Sequence, residues 1–186
     1  MLAASQGAVR EALSRLTAEH LIEARPHHGF RLAPISIEDL RDLRAARIEI
    51  EQRHLQHAIA TGDVHWEAHI VGTFHQLSRT SPSLPEPERG IHDKYAMFEH
   101  AFFDSLVSSR GGQWLNRVRQ ILQTQELRYH AFAQPATPGE CASVAELRDL
   151  MEAVIGRNAE HACRLLVNHM QRSTEHLISR LAVVSS

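Results

Sequence analysis

Histidine and cysteine are the side chains in this sequence that could bind a metal or carry out redox chemistry. There are 14 histidines but only two cysteines, Cys141 and Cys163. Their number and spacing fit neither a disulfide framework nor a cysteine metal site, so we predict buried, reduced thiols. His65 and His69 lie one helical turn apart, but the glutamate between them is not where a metalloprotease has its base, which favours solvated histidines.

Catalytic arrangements are missing from the sequence as a whole. It contains no recognisable pair of nucleophile and base, no glycine loop that could hold a phosphate, and no intact set of metal ligands. We therefore predict that the protein is not an enzyme and has no cofactor.

Arginine is the residue best placed to recognise a partner. All 20 basic residues except Lys94 are arginines, whose planar guanidinium binds carboxylates, phosphates or guanine through two parallel hydrogen bonds. The formal net charge is -2, so the molecule carries no large positive field and any contact with DNA must be local. Two pairs stand out: Arg10 and Arg15 in the first predicted helix, and Arg47 and Arg128 further along.

The elements that position these arginines can be predicted from periodicity and capping residues. Apolar residues recur at helical spacing from residue 8 to 22 behind Ser5, a good N-cap, and the segment 23–33 with Pro26 and Gly29 predicts a short hairpin. Six amphipathic helices are predicted after residue 35, with loops at 78–90 and 134–139; four begin at the capping residues Ser36, Asp63, Ser143 and Asn158. The fold class is therefore mainly α, with an antiparallel six-helix bundle.

The segment Ser5-Gln6-Gly7-Ala8-Val9-Arg10 and the hairpin at 25–32 resemble the recognition helix and wing of the GntR family of transcription regulators. The resemblance implies that Ser5, Gln6, Gly7 and Arg10 face bases or phosphates in a major groove, and that Gln6 selects a base. It further implies phosphate contacts by Arg15 and contacts of the wing tip with DNA, made by His28 and Gly29. The alternative for Arg10 and Arg15 is pairing with Glu11 or Glu19 on the helix surface.

Residues 1–35 thus correspond to part of a winged helix-turn-helix domain, the recognition helix and wing. The resemblance implies two further helices ahead of this point, so we expect an N-terminally truncated member. Four arginines against three glutamates in this segment give little charge for neutralising phosphates. A DNA-incompetent dimerisation or interaction module therefore remains the alternative function.

Residues 36–186 resemble the effector-binding FCD domain of the FadR branch of this family, close to the subgroup of the carbon-starvation-induced repressor. The matching segments are residues 44–51, 62–67 and 125–130. The resemblance implies a homodimer and a small carboxylate effector held near a divalent metal. The family's metal-ligand positions read Glu99, Phe103, Leu147 and His169 here, too few ligands for a stable site, so we predict no metal. His100, His130 or His176 could rebuild one only as a lesser alternative.

An effector site without metal can still be assembled from other residues. Arg47 and Arg128 could clamp a carboxylate and Tyr129 could donate a hydroxyl, with Glu99 and His169 lining the same pocket. The alternative for Arg47 is an ion pair with Glu51 one turn on.

The sequence contains no stretch of about 18 apolar residues and no signal peptide, so we expect a cytoplasmic protein without membrane contact. Together with the family resemblance, the sequence predicts a repressor that binds operator DNA.

Overall fold

The computed structural model describes residues 5–26, 28–80, 89–109, 112–133 and 142–184. Within these ranges the chain forms seven helices and one small antiparallel sheet. In chain order the elements are α1 (Gln6–Ala18), β1 (Ile22–Arg25), β2 (Gly29–Leu32), α2 (Ile37–Thr61), α3 (Val64–Ser78), α4 (Arg89–Val107), α5 (Gln113–Phe132), α6 (Val144–Ile155) and α7 (Ala159–Val184).

The predicted fold class, mainly α with a six-helix bundle after residue 35, is confirmed. The expected bounds differ by about one helical turn or less: the loop was predicted at 78–90, and α4 begins at Arg89. Cys141 and the loop predicted at 134–139 lie outside the described residues, as do positions 81–88 of the loop predicted at 78–90.

Helix starts are fixed by the side chains that the sequence places there. The Ser5 hydroxyl accepts the amide hydrogen of Ala8 at 3.2 Å, and Ser36 accepts that of Asp39 at 3.0 Å. Ser143 and Glu146 form a reciprocal capping box at the start of α6. Each contact satisfies an amide that the first helical turn leaves without a partner, so the predicted starts are also the observed ones.

The hairpin after α1 is anchored at one end only. β1 and β2 pair in antiparallel register from Ile22 opposite Leu32 to Arg25 opposite Gly29. Gly29 has φ +76°, a left-handed conformation that favours glycine at this turn. Ile22 at the start of β1 and Ala33 directly after β2 are buried, whereas the hairpin tip is exposed.

Helices α2 and α5 of the bundle run antiparallel, as the side-chain contacts between them demonstrate. Glu51 near the end of α2 pairs with Arg119 near the start of α5, while Asp39 at the start of α2 contacts Tyr129 near the end of α5. The largest apolar core is formed by α2, α3, α4, α6 and α7, and it includes the buried thiol of Cys163. No helix in the described ranges is both long and apolar enough to cross a membrane.

A tight turn between α2 and α3 depends on Gly62. A methyl group on its Cα would lie 2.0 Å from the ring of Trp66, which is buried and donates its indole hydrogen to the carbonyl of Ser105 at 3.0 Å. The ring therefore cannot move aside without breaking its contacts with α4. Gly72, in the exposed middle of α3, has no such neighbour.

These two glycines form a matched pair for a test of the packing. We expect Gly62→Ala to lower the free energy of unfolding by about 1–3 kcal/mol because the added carbon overpacks the Trp66 site. Gly72→Ala should be neutral or stabilise by up to about 1 kcal/mol, since alanine is the better helix former. Urea unfolding of both variants checks this; equal effects would contradict the close approach at Gly62.

Candidate functional site

The predicted DNA-contacting residues of α1 lie on an exposed helix. Gln6, Gly7, Arg10 and Arg15 are all exposed, no residue of α1 is fully buried, and the first turn carries no acid. The positive end of the helix dipole therefore has no carboxylate in the first turn that would compete for an anion. The Ser5 hydroxyl caps the helix, which confirms its predicted N-cap role, and its contact with DNA stays a prediction.

The alternative pairing of the two arginines is not formed. Among the ion pairs of the described residues, none joins Arg10 or Arg15 to Glu11 or Glu19. At the hairpin tip, His28 and Gly29 are both exposed, and the amide of His28 donates to the carbonyl of Arg25 at 3.1 Å. Each of these residues is thus accessible to a partner.

A second candidate site is a cavity of about 200 Å³ enclosed by α2, α4, α5 and α7. Its wall is divided into an apolar part and a strongly charged part. The apolar part includes Leu55, Phe103, Leu106, Leu166 and Met170, and the charged part includes Arg44, Arg47, Glu51, Arg119 and Glu126. We call this space the bundle cavity.

The charged wall is a continuous network of ion pairs. The Nε atom of Arg119 lies 2.9 Å from both carboxylate oxygens of Glu51, and its NH2 group lies 2.7 Å from Asp104. Arg47 reaches Glu51 at 3.3 Å, and both Arg44 and Arg47 pair with Glu126. Three guanidiniums and three carboxylates therefore compensate one another.

Glu126 is the centre of this network. Burial by itself would raise the pKa of Glu126, but a hydrogen bond from His130 and the charges of Arg44 and Arg47 outweigh it and hold the pKa at about 2. The carboxylate is thus ionised across the physiological range. Its side chain is 3% exposed, so it has little water to replace a lost arginine.

Three of the predicted effector residues line the bundle cavity. Arg47, Glu99 and His169 all face it, and Phe103, at one of the family's metal positions, does too. Arg47 also forms an ion pair with Glu51, which is the contact that the alternative interpretation of this residue predicted. Leu147 is instead buried in the apolar core.

Arg128 and Tyr129 do not line the bundle cavity, and in this their predicted placement is corrected. The Tyr129 hydroxyl contacts Asp39, and Arg128 lies 3.5 Å from the same carboxylate. Arg128 is two positions from Glu126 and so points to roughly the opposite side of α5, whereas Tyr129 lies one turn further along the helix, where it reaches Asp39 at the start of α2. Arg47 and Arg128 therefore do not face a common cavity and do not form a clamp.

A polar stripe of α5 that lines the cavity was missed as a whole, although His130 was considered as a metal ligand. The stripe consists of Arg119, Gln123, Glu126 and His130, which follow one another at spacings of four, three and four. That spacing defines one helix face, so the polar stripe could have been found from the sequence. Its partners on α2 could not, because Arg119 and Glu51 are 68 positions apart.

Phe103 and His169 are packed against each other where the resemblance implied metal ligands. Their rings are stacked with centroids 4.6 Å apart. Burial, with the nearby charge of Arg172 adding to it, lowers the pKa of His169 to about 4, so its imidazole is neutral. Burial raises the pKa of Glu99 to about 7. Among the described residues no group of three or more metal-ligating side chains comes together.

Two curated relatives match this chain along most of its length. The HTH-type transcriptional regulator BphR of Paraburkholderia xenovorans is 32% identical over 170 residues, which cover 91% of this chain and 69% of that protein. The chain belongs to the GntR family of HTH-type transcriptional regulators. The HTH-type transcriptional repressor GlaR of Escherichia coli is 29% identical over 88% of this chain and 76% of its own length. No family model matches the chain.

Solved structures share the fold of this GntR-family regulator. E. coli McbR/YncC superposes with a TM-score of 0.73 at 18% identity, covering 96% of this chain and 82% of its own. A GntR family member from Pseudomonas syringae pv. tomato gives a TM-score of 0.62 at 23% identity over 97% of this chain and 73% of its own. The relatives carry the names of transcriptional regulators, and the protein is accordingly not an enzyme.

The ion-pair network makes a prediction about stability. Glu126→Gln should lower the free energy of unfolding by about 3–5 kcal/mol, because Arg44 and Arg47 remain buried without their shared carboxylate. Glu160→Gln removes an exposed pair with Arg164 on α7 and should cost less than about 1 kcal/mol. Chemical denaturation of both variants at neutral pH measures the difference, and similar costs would contradict the central role of Glu126.

The buried carboxyl of Glu99 makes a separate prediction about pH. Its raised pKa means that the folded state binds the proton more tightly, so the wild type should lose stability as pH rises from about 4.5 to 7. Glu99→Gln avoids that loss and should be more stable than wild type by up to about 3 kcal/mol above pH 7, with little difference near pH 4.5. Urea unfolding from pH 4.5 to 8.5 measures this.

The control for that series is Glu49→Gln, at an exposed position of α2. Its effect on stability should not change over the same pH range. A difference between Glu99→Gln and wild type that is constant with pH would mean that the Glu99 carboxyl is as well solvated in the folded chain as in the unfolded one.

Proposed function

We propose that this protein is a ligand-responsive transcriptional repressor of the FadR branch, in which α1 and its hairpin contact operator DNA and the FCD-type bundle of residues 36–186 binds a small carboxylate. The observation that carries the proposal is the exposed start of α1. It combines a helix N-terminus without acids, the small residue Gly7, and the exposed side chains of Gln6 and Arg10.

Each exposed side chain of this segment has a chemical counterpart on a duplex. The amide of Gln6 can donate and accept at an adenine edge, while Arg10 and Arg15 can each donate to phosphates. His28 and Gly29 at the hairpin tip supply a contact beside the groove. Base discrimination would then depend on Gln6 and overall affinity on the arginines.

Binding to a two-fold symmetric operator requires a dimer, and the outer face of α5 supports one. Trp114, Val118 and Ile121 are exposed there at spacings of four and three, so they form one apolar stripe. Trp114 is 75% exposed, with Arg117 over its ring, which is a large apolar area for a surface helix. We propose that a second copy of the chain covers this stripe.

Helix α5 also supports communication between the bundle cavity and the DNA-contacting segment. Glu126 anchors the ion pairs of the cavity wall, and its neighbour Gln125 donates a hydrogen bond to the carbonyl of Glu19, directly after α1. A ligand that draws Arg44 or Arg47 away from Glu126 would shift α5 and with it this contact. Ligand binding and DNA binding would then be energetically coupled.

The small positive charge of the first 35 residues favours a second candidate, a DNA-incompetent dimerisation module. The first 35 residues carry four arginines and three glutamates, which is a weak electrostatic footprint for a DNA-binding surface. Such a protein would pair with related regulators and leave DNA unbound.

A gel-shift assay with the upstream region of its own gene distinguishes the two. If α1 contacts DNA, Arg10→Ala should weaken binding to all sequences and reduce the slope of log K against log salt by about one, since one phosphate contact is lost. Gln6→Ala should instead change base preference, by about 1–3 kcal/mol at a single position of the operator.

Arg164→Ala is the matched control, because Arg164 is an exposed arginine on α7 that pairs only within its own helix surface. It should leave the affinity and the salt slope unchanged. Equal effects of Arg10→Ala and Arg164→Ala would refute the assignment of α1. A wild-type chain that dimerises but fails to shift DNA at low salt would favour the second candidate.

A further inference from the structure

The charges around the bundle cavity are balanced except at one residue. Arg44, Arg47 and Arg119 are matched by Glu51, Glu126 and Asp104, as described above. The histidines add no free cation: His130 pairs with Glu126 at 3.3 Å, His100 pairs with Asp104 at 3.0 Å, and His169 is stacked on Phe103. Only Glu99 lines the cavity with a carboxyl to which no described residue offers a hydrogen bond or an ion pair.

The cavity also contains a donor without an acceptor. The Nε–H of Arg44 is buried and has no hydrogen-bond partner, although Arg44 is 6% exposed and lines the cavity wall. A buried donor left in this state is costly, and a ligand acid that draws the Arg44 guanidinium toward the cavity would supply the missing acceptor. Among the described residues, the cavity wall thus has a buried donor without a partner on α2 and a carboxyl without a protein partner on α4.

We propose that the effector of this regulator carries a protonated amine, which pairs with the Glu99 carboxylate, in addition to an acid group that accepts a hydrogen bond from the Nε–H of Arg44. This inference rests on the proposed function, because it assumes the small carboxylate effector and adds a second charged group to it. The apolar wall between the two groups, which includes Leu55, Phe103 and Leu166, requires an apolar chain joining them.

Charge selects the amine over the other groups that could occupy this end of the cavity. A second carboxylate would lie beside Glu99 with no free guanidinium to compensate it, and like charges at that distance repel. A stable metal site needs several ligands, and the neutral His169 is already stacked on Phe103. An ammonium needs only one carboxylate and supplies the missing charge.

The size of the cavity limits the length of such a molecule. A volume of about 200 Å³ corresponds to about seven water molecules at their liquid volume. An unbranched amino acid with about five carbons is therefore a suitable probe. The matched control probes have the same carbon chain but only one of the two charged groups.

The experiment is isothermal titration of the full chain with 5-aminopentanoate, pentanoate and pentylamine at pH 8, where Glu99 is ionised. The wild type should bind 5-aminopentanoate about tenfold or more tightly than pentanoate, as expected for one charged hydrogen bond. In Glu99→Gln this preference should disappear while the affinity for pentanoate stays within about threefold. Glu49→Gln, on the outer surface of α2, should behave as wild type.

Folding of each variant is checked by circular dichroism, and Glu99→Asp provides a second variant that keeps the charge. It should still prefer 5-aminopentanoate over pentanoate, although less strongly because its carboxylate is withdrawn by one methylene. If Glu99→Gln does not fold, the wild type and Glu99→Asp still decide, since the inference requires the preference in both.

The inference is overturned if wild type binds pentanoate as tightly as 5-aminopentanoate, if Glu99→Gln retains the preference, or if none of the three probes binds. Binding of pentanoate without any gain from the amine would leave the carboxylate effector standing and remove only the role of Glu99. Failure of the proposed function is detected separately, by a wild-type chain that does not shift DNA in the gel assay.

Discussion

The buried carboxylate of Glu126 is the constraint on which the rest of the bundle depends. Two arginines of α2 share it. Water could not replace the carboxylate for either arginine, because both lie almost entirely inside the protein. A buried ion pair adds little net stability compared with apolar packing, but breaking it is expensive. Its main effect is on register: α5 can slide along α2 only by leaving charges unpaired, so the network fixes which residues surround the bundle cavity.

The same constraint explains how a small ligand could act at a distance. An acid group entering the cavity competes for guanidiniums that already have partners, so binding must redistribute ion pairs along α5. Gln125, on another side of that helix, holds the backbone just after α1. A shift of α5 would then change both the cavity wall and the contact of Gln125 after α1. The coupling needs no contact between the ligand and the DNA-contacting segment.

Sequence reasoning predicted the fold well and the cavity only in part, for physical reasons. Helix starts follow from local chemistry, and the caps at Ser36 and Ser143 lie where the sequence placed them. Cavity residues depend on which helix face meets which neighbour. Residues 125–130 resemble the family as one block, yet Glu126 lines the bundle cavity whereas Tyr129, one turn further along α5, contacts Asp39. The pairing of Glu51 with Arg119 joins distant parts of the chain and leaves no local signal.

The position of Phe103 changes the chemistry expected of the cavity more than any other single residue. A phenyl ring there stacks on His169, which makes the imidazole part of the apolar wall. Burial and the charge of Arg172, with Arg44 and Arg47 adding to them, keep that imidazole neutral. It therefore cannot balance Glu99, and no cation of the described residues does. Selectivity in this protein then comes from direct pairing between charges of the ligand and of the wall, and the ligand has to bring the cation.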